Sequence, residues 1–423
     1  MNANEIKSEI ENGAFDSDFL MLYGETETPR KRYLNAVCEF ENLYGDRENL
    51  RLFSAPGRTE IGGNHTDHQH GLVLAASVHL DVIAVVSENK GNTVSIKSEG
   101  YPKDSIDVTD LKIKENEIGK AASLIRGVCA AFCDAGYTLG GFDAYTTSNV
   151  LKGSGLSSSA AFEVLVSNIL NGLFCDNKVL PIDMAKFSQF AENVYFGKPS
   201  GLLDQMASAV GGFTYADFCD PKQPSVEKIN FDVSKTGYTL CVVDTGGNHA
   251  NLTGDYADIT VDCKNISNAL GVEFLRDADS NRFYSQLQSL RDKCGDRAIL
   301  RAFHFFNENE RVVNQCKALK CGEFENFLNL VNDSGESSYK YLQNLYSISN
   351  PNEQGLCLAV ALTKQFLKGN GAVRVHGGGF AGTVQCYVPN EKFAEFKQMI
   401  ESVFGLNSCL PIRVRAVGGY EIA

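Results

Sequence analysis

Residues 150–164, VLKGSGLSSSAAFEV, decide how this chain is read. Lys152-Gly-Ser-Gly155 is rich in turn formers, Ser157-Ser-Ser159 follows, and from Ala160 the run AAFEVLVSNIL predicts a helix. Glycines let backbone N–H groups approach an anion closely, and a helix N-terminus leaves those donors unpaired with a favourable dipole behind them. Serine hydroxyls add donors or hold a metal. The direct physical reading is a phosphate cradle, although no Walker A pattern, G-x-x-x-x-G-K-[ST], occurs. A Gly/Ser turn that merely caps a helix accounts for the same residues, so this stretch alone leaves both open.

Upstream, Leu52 to Gly71 reads LFSAPGRTEIGGNHTDHQHG, and Pro56-Gly57 and Gly62-Gly63 predict a loop between strands. Arg58, His65 and Asp67 close together suit a hydroxylated or anionic ligand. His65, His68 and His70 with Asp67 invite a metal-site reading, but their spacing fits no zinc pattern and a surface loop is the preferred alternative. Downstream, Asp183 to Val194 predicts a helix carrying Glu192, which ends at FGKPSGLLDQ (residues 196–205). Asp204 there is ordinarily read as a helix cap. Near the end, Gly377 to Gly382 formally matches G-x-G-x-x-G. A dinucleotide fingerprint has to be followed by a helix, whereas Thr383-Val-Gln-Cys-Tyr-Val alternates like a strand; a glycine-rich hairpin lying against a ligand fits better. A last strand is predicted over 412–417, and the first 50 residues predict helices with no chemistry of their own.

Composition bounds the rest. A chain of 423 residues exceeds the usual single domain, so two are expected. The net charge of −13 argues against nucleic-acid binding. Thirteen scattered cysteines form no zinc-spaced double pair and predict reduced thiols. The polar, acidic N-terminus is unlike a signal peptide, and no apolar run approaches the roughly 20 residues of a membrane helix. A soluble, cytoplasmic protein, monomeric or weakly homo-oligomeric and with no membrane partner, is expected.

The three stretches APGRTEIGGNHTDHQHG, LKGSGLSSSAAFE and VHGGGFAGT, in that order, resemble the motifs of the GHMP small-molecule kinases, and the H-T-D core of the first resembles the galactokinase branch. The likeness runs from about Ser54 to Val388. It implies an α+β, two-domain fold, an N-terminal ribosomal-protein-S5-like domain (1–205) and a C-terminal ferredoxin-like domain (206–423), with the active site between them. It implies ATP and Mg²⁺ as cofactors and a small sugar as substrate, phosphorylated at its anomeric C1 hydroxyl. Gly153, Ser154, Gly155, Leu156, Ser157, Ser158 and Ser159 match the ATP-phosphate loop, and Ser159 and Glu192 the Mg²⁺ ligands. Asp204 matches the catalytic aspartate and Arg58 the arginine beside it. Asn64, His65, Asp67 and Gly201 fall at sugar-binding positions. So does Tyr256, although the chain is one residue shorter between Leu252 and Tyr256 and the register there stays open. Gly377, Gly378 and Gly379 match the third motif, which closes over the site.

Departures carry their own expectations. The family pattern G-E-H-T-D-Y has Asn64 for Glu and His68 for Tyr here, and Leu151 replaces a proline. That glutamate normally reads the hydroxymethyl end of galactose. A neutral amide there either binds the same hydroxyl in a lineage-specific galactokinase, the preferred reading, or admits another C6 group such as the carboxylate of galacturonate. A third reading is a sugar- and ATP-binding sensor without turnover, marked in such relatives by loss of a Ser-Ala pair that this chain retains at Ser159-Ala160.

Overall fold

The computed structural model describes residues 1–150, 155–247 and 252–423. Three helices, α1 (Ala3–Glu11), α2 (Asp16–Tyr23) and α3 (Glu27–Tyr44), precede the long strands β1 (Arg51–Gly62) and β2 (Leu72–Glu88). The two strands are buried along almost their whole length, as strands covered on both faces must be. The first three helices cover one face: Phe19, Tyr33, Val37 and Phe40 pack with Leu52, Ile83 and Val85 in a core of their own. They carry none of the site residues, in keeping with a packing role.

The chain continues through β3 (Thr93–Ser98), β4 (Lys103–Asp107), α4 (Ala121–Asp134), β5 (Phe142–Ser148), α5 (Ser158–Phe174), α6 (Pro181–Phe190) and α7 (Leu203–Val210). Then come β6 (Phe213–Asp217), β7 (Ser225–Ile229), β8 (Tyr238–Asp244), α8 (Thr253–Ala269), α9 (Ser280–Ser285), α10 (Leu287–Cys321) and α11 (Phe324–Ser337). The last elements are α12 (Gly355–Leu367), β9 (Ala372–His376), β10 (Thr383–Pro389), α13 (Phe393–Phe404), β11 (Cys409–Pro411) and β12 (Tyr420–Glu421). One sheet runs β12-β1-β2-β5-β3-β4, with β6 on β2 and β7 on β6; a second runs β11-β8-β10-β9. The chain thus has the expected mixed α/β layout. The larger sheet includes β6 and β7, which follow residue 205, and β12 from the far end of the chain.

Two expectations change. The stretch around Pro56-Gly57 lies inside β1 and is not a loop. Register shifts between Pro56 and Arg58 and between Glu60 and Gly62 absorb the proline, which cannot donate to a ladder, and the glycines. A strand there has a consequence, because Arg58 and Glu60, two residues apart, share one face. The strand expected over 412–417 is replaced by a single bridge, Val78 with Val414. Arg415 in that segment turns inward instead. It is fully buried with Asp81 of β2, which accepts from Arg415 Nη1 (3.3 Å), Ser54 Oγ (2.5 Å), Tyr23 Oη (2.7 Å) and the Arg32 guanidinium. Burial alone would raise the Asp81 pKa; the two guanidiniums outweigh it and hold it below the ordinary carboxylate value. Among the described residues no disulfide occurs, and no helix is long and apolar enough to cross a membrane.

Candidate active site

The turn before α5 is where the fold brings motifs together. Ser157, the cap residue, has φ 57°, and Gly155 has φ 70°, a conformation natural for glycine. A Cβ on Gly155 would stand 2.8 Å from His376 Nδ1, so the turn lies directly against β9. The buried Leu156 carbonyl accepts from the backbone N–H of Arg58 at 2.9 Å, which joins the turn to β1. The Ser157 side chain does not cap α5; it donates to Asp204 Oδ2 at 2.7 Å. The first-turn N–H groups of α5, around Ser158 and Ser159, are therefore left for an anion. Gly153, Ser154 and Leu151 lie outside the described residues.

Asp204 lies in the first turn of α7 but does not cap it: Leu202 is the cap residue, no side chain caps the helix, and the Asp204 carboxylate serves the cavity. Arg58 Nε donates to Asp204 Oδ1 at 2.6 Å, and an Nη of the same guanidinium donates to the Gly155 carbonyl. Burial would raise the Asp204 pKa; the Arg58 charge, the Ser157 hydroxyl and Lys198 reverse this and hold it below the ordinary value. Both residues line a cavity of about 340 Å³ with Glu60, Asn64, His65, Asp67, Lys198, Ser200, Gly201, Gly377 and Gly378. A Cβ at residue 201 would stand 2.2 Å from Asp67 Oδ2, so any other residue there would have to push that carboxylate aside. Burial, in a site that also holds Asp204, raises the Asp67 pKa.

The third motif is held to the first by its carbonyls. Gly377 O accepts from Asn64 Nδ2 (2.7 Å), Gly378 O from His65 Nε2 (2.8 Å) and from Asn344 Nδ2 (3.1 Å), and Gly379 O from Tyr256 Oη (3.0 Å). The Tyr256 ring stacks on His65, with centroids 6.4 Å apart, and a Cβ at Gly378 would meet that ring at 2.7 Å. Tyr256 therefore braces the third motif and His65 and is not among the residues lining the cavity. The histidines of the first motif do not converge. Among the described residues no three His, Cys, Asp or Glu side chains form a metal-sized cluster.

Glu192 lies in a π-helical turn, Ala191–Phe196, that follows α6. Ser200 Oγ (2.7 Å) and Gln205 Nε2 (2.7 Å) occupy its Oε2, while Oε1 lies 3.4 Å from Ser159 Oγ and 2.9 Å from Lys198 Nζ. One carboxylate oxygen beside one hydroxyl at the N-terminus of α5 suits Mg²⁺, which keeps waters and phosphate oxygens for its other positions. Lys198, whose side chain is 60 % exposed, balances the Glu192 charge and is free to yield to such an ion. Gln205 also reaches Glu163 Oε2 (3.0 Å). Burial, and then the Glu192 charge, push the Glu163 pKa well above the ordinary value. Sequence reasoning missed Glu163, Lys198, Ser200, Gln205, Glu60 and Asn344. The first was visible as a lone carboxylate four residues after Ser159 in an apolar run.

Behind the first motif, His304 of α10 donates from Nε2 to the Asn64 carbonyl (2.8 Å) and accepts at Nδ1 from Ser337 Oγ (2.9 Å). Burial lowers its pKa to about 4. A neutral folded imidazole gives stability that is fully present above the unfolded value of about 6.5 and is lost as pH falls from there toward 4. Denaturant unfolding between pH 7 and 4 should show uptake of an extra proton on unfolding, and His304→Asn should remove that component.

A scan of family models matches residues 38–88 to the galactokinase galactose-binding signature and residues 123–212 to the GHMP kinases N terminal domain. Among solved structures, Lactococcus lactis galactokinase complexed with galactose superposes with TM-score 0.75 at 24% identity, covering 90% of this chain and 97% of that one. A mevalonate kinase superposes with TM-score 0.60 at 15% identity, over 86% of this chain and 98% of that one. Fold and motif order thus define a GHMP-type small-molecule kinase. The galactokinase of Streptomyces coelicolor is 31% identical over 367 residues, 86% of this chain and 91% of that protein; the galactokinase of Clostridium tetani is 28% identical over similar shares, 86% and 90%. The chain belongs to the galactokinase family.

Proposed function

We propose that the protein transfers the γ-phosphoryl group of ATP to the C1 hydroxyl of galactose, giving galactose 1-phosphate and ADP. The observation that carries this reading is the Arg58–Asp204–Ser157 arrangement, which sets an ionised carboxylate between a sugar-sized cavity and the open N-terminus of α5. In the reaction the C1 oxygen bonds to the γ-phosphorus, the bond from that phosphorus to the bridging oxygen breaks, and the hydroxyl proton leaves. Phosphoryl transfer of this kind needs alignment and charge neutralisation more than covalent help.

Asp204 orients the hydroxyl and receives its proton as the phosphorus–oxygen bond forms. Its lowered pKa makes it a weak base, which suits late transfer in a loose transition state. Arg58 places positive charge beside the developing anion. Ser159 and Glu192 would hold Mg²⁺, which neutralises phosphate charge when bound. His65, Asp67 and Gly201 border the sugar's place in the cavity.

Assays of ADP release over a panel of sugars test the reading, with ³¹P spectra locating the new phosphate. Mg²⁺-dependent turnover with galactose and an anomeric phosphate are expected. A protein that binds galactose and ATP yet releases no ADP with any sugar would be a sensor, and the retained Ser159-Ala160 pair argues against that outcome.

A further inference from the structure

Asn64 borders the cavity but has nothing left to offer a ligand. It is 0% exposed. Its Nδ2 donates to Glu60 Oε1 (3.0 Å) and to Gly377 O, and its Oδ1 accepts from Asn344 Nδ2 (2.8 Å) and Ser338 Oγ (3.3 Å). A primary amide has two N–H groups and two lone pairs, and all four are used. This corrects the expectation that Asn64 itself binds the sugar, and with it the idea that this end of the site lacks a carboxylate.

The missing charge stands next to it. Glu60 lines the same cavity. Its Oε1 takes Asn64 and Arg374 Nη2 (2.5 Å), while Oε2 has no hydrogen-bond partner among the described residues and is not one of the sealed, partnerless polar atoms. Arg374 is fully buried and bonds the Glu60 backbone carbonyl as well, so the side chain is held through Oε1 at the wall of the cavity. Along β1, Glu60 follows Arg58 by one repeat on the same face, roughly 7 Å further on. In a hexopyranose C1 and C5 flank the ring oxygen, so a sugar with its C1 hydroxyl at Asp204 and its ring oxygen turned toward β1 would carry its C6 toward Glu60. We propose that Glu60 is the residue that selects the substrate at C6: its Oε2 accepts a hydrogen bond from the hydroxymethyl O–H and repels an acid there. This rests on the sugar-kinase reading above.

The plain alternative is that Glu60 only neutralises Arg374. The two differ in substrate ratios, because a structural role scales every sugar alike. The wild-type protein should favour galactose over 6-deoxygalactose and galacturonate in kcat/KM by at least about 10-fold, the factor expected when a charged acceptor loses its donor or meets a like charge. Glu60→Gln keeps an oxygen for Arg374 and should shrink the galactose-to-galacturonate ratio by about 10-fold or more, with the change mainly in KM. An unchanged ratio in a folded Glu60→Gln protein overturns the proposal. Should that variant not fold, the wild-type panel decides: galacturonate or 6-deoxygalactose used within about 3-fold of galactose overturns it equally. No ADP release with galactose at all would sink the kinase reading and this proposal with it, whereas galactose turnover with a flat C6 panel sinks the Glu60 assignment alone.

Discussion

Asp204→Asn lowers kcat by about 10²- to 10⁴-fold, the span associated with a positioned proton acceptor, and leaves galactose affinity within a few-fold of wild type. The amide keeps the size of the carboxylate and retains one oxygen to accept from Arg58 or from Ser157, so the cavity keeps its shape. It cannot receive the hydroxyl proton, and it no longer balances the Arg58 charge. Pre-steady-state phosphorylation together with calorimetric titration of galactose separates the two effects. A variant that turns over within about 10-fold of wild type would mean that Asp204 only shapes the site.

Asp81→Ala costs about 3–5 kcal/mol of stability, the loss typical when one member of a buried ion network is removed. Asp81 is 0% exposed and so is Arg415; Arg32 reaches the same carboxylate from α3. Deletion leaves two guanidiniums without their counter-charge and strips Ser54 and Tyr23 of an acceptor. The network ties β2, the helical N-terminus and the segment before β12 together, so the effect is on the whole unfolding midpoint and not on one loop. Denaturant unfolding with a parallel galactose titration checks it, and a loss below about 1 kcal/mol would show that the guanidiniums find other partners.

Those two cases mark what could be read in advance. Arg58, Asp204, Ser159 and Glu192 were legible only through the resemblance of their motifs to the family pattern; by residue type alone Asp204 read as a helix cap and Glu192 as one residue of a predicted helix. The structure sets the first two in one hydrogen-bonded unit and the last two 3.4 Å apart. Asp81 was not legible, since its partners lie at residues 23, 32, 54 and 415 and no local pattern links them. Pro56-Gly57 misled because turn formers look alike in a loop and in a bulged strand; what decides is the pairing of β1 with β2, a long-range contact. Asn64 misled for a related reason. Its position in the motif was plain, but whether its amide faced a ligand depended on Glu60, Ser338, Asn344 and Gly377, three of them on distant parts of the chain.

The Arg58 guanidinium has two obligations, to the carboxylate of Asp204 and to the carbonyl of Gly155. It is a flat, stiff group, so it cannot follow one partner without turning away from the other. A shift of the glycine turn on nucleotide binding would therefore also move the guanidinium that holds Asp204, so binding on one side is expected to be felt on the other. Thermodynamic reciprocity then requires that each substrate change the other's affinity by the same factor. One side chain would then make the two halves of the transfer answer to each other before any bond has moved.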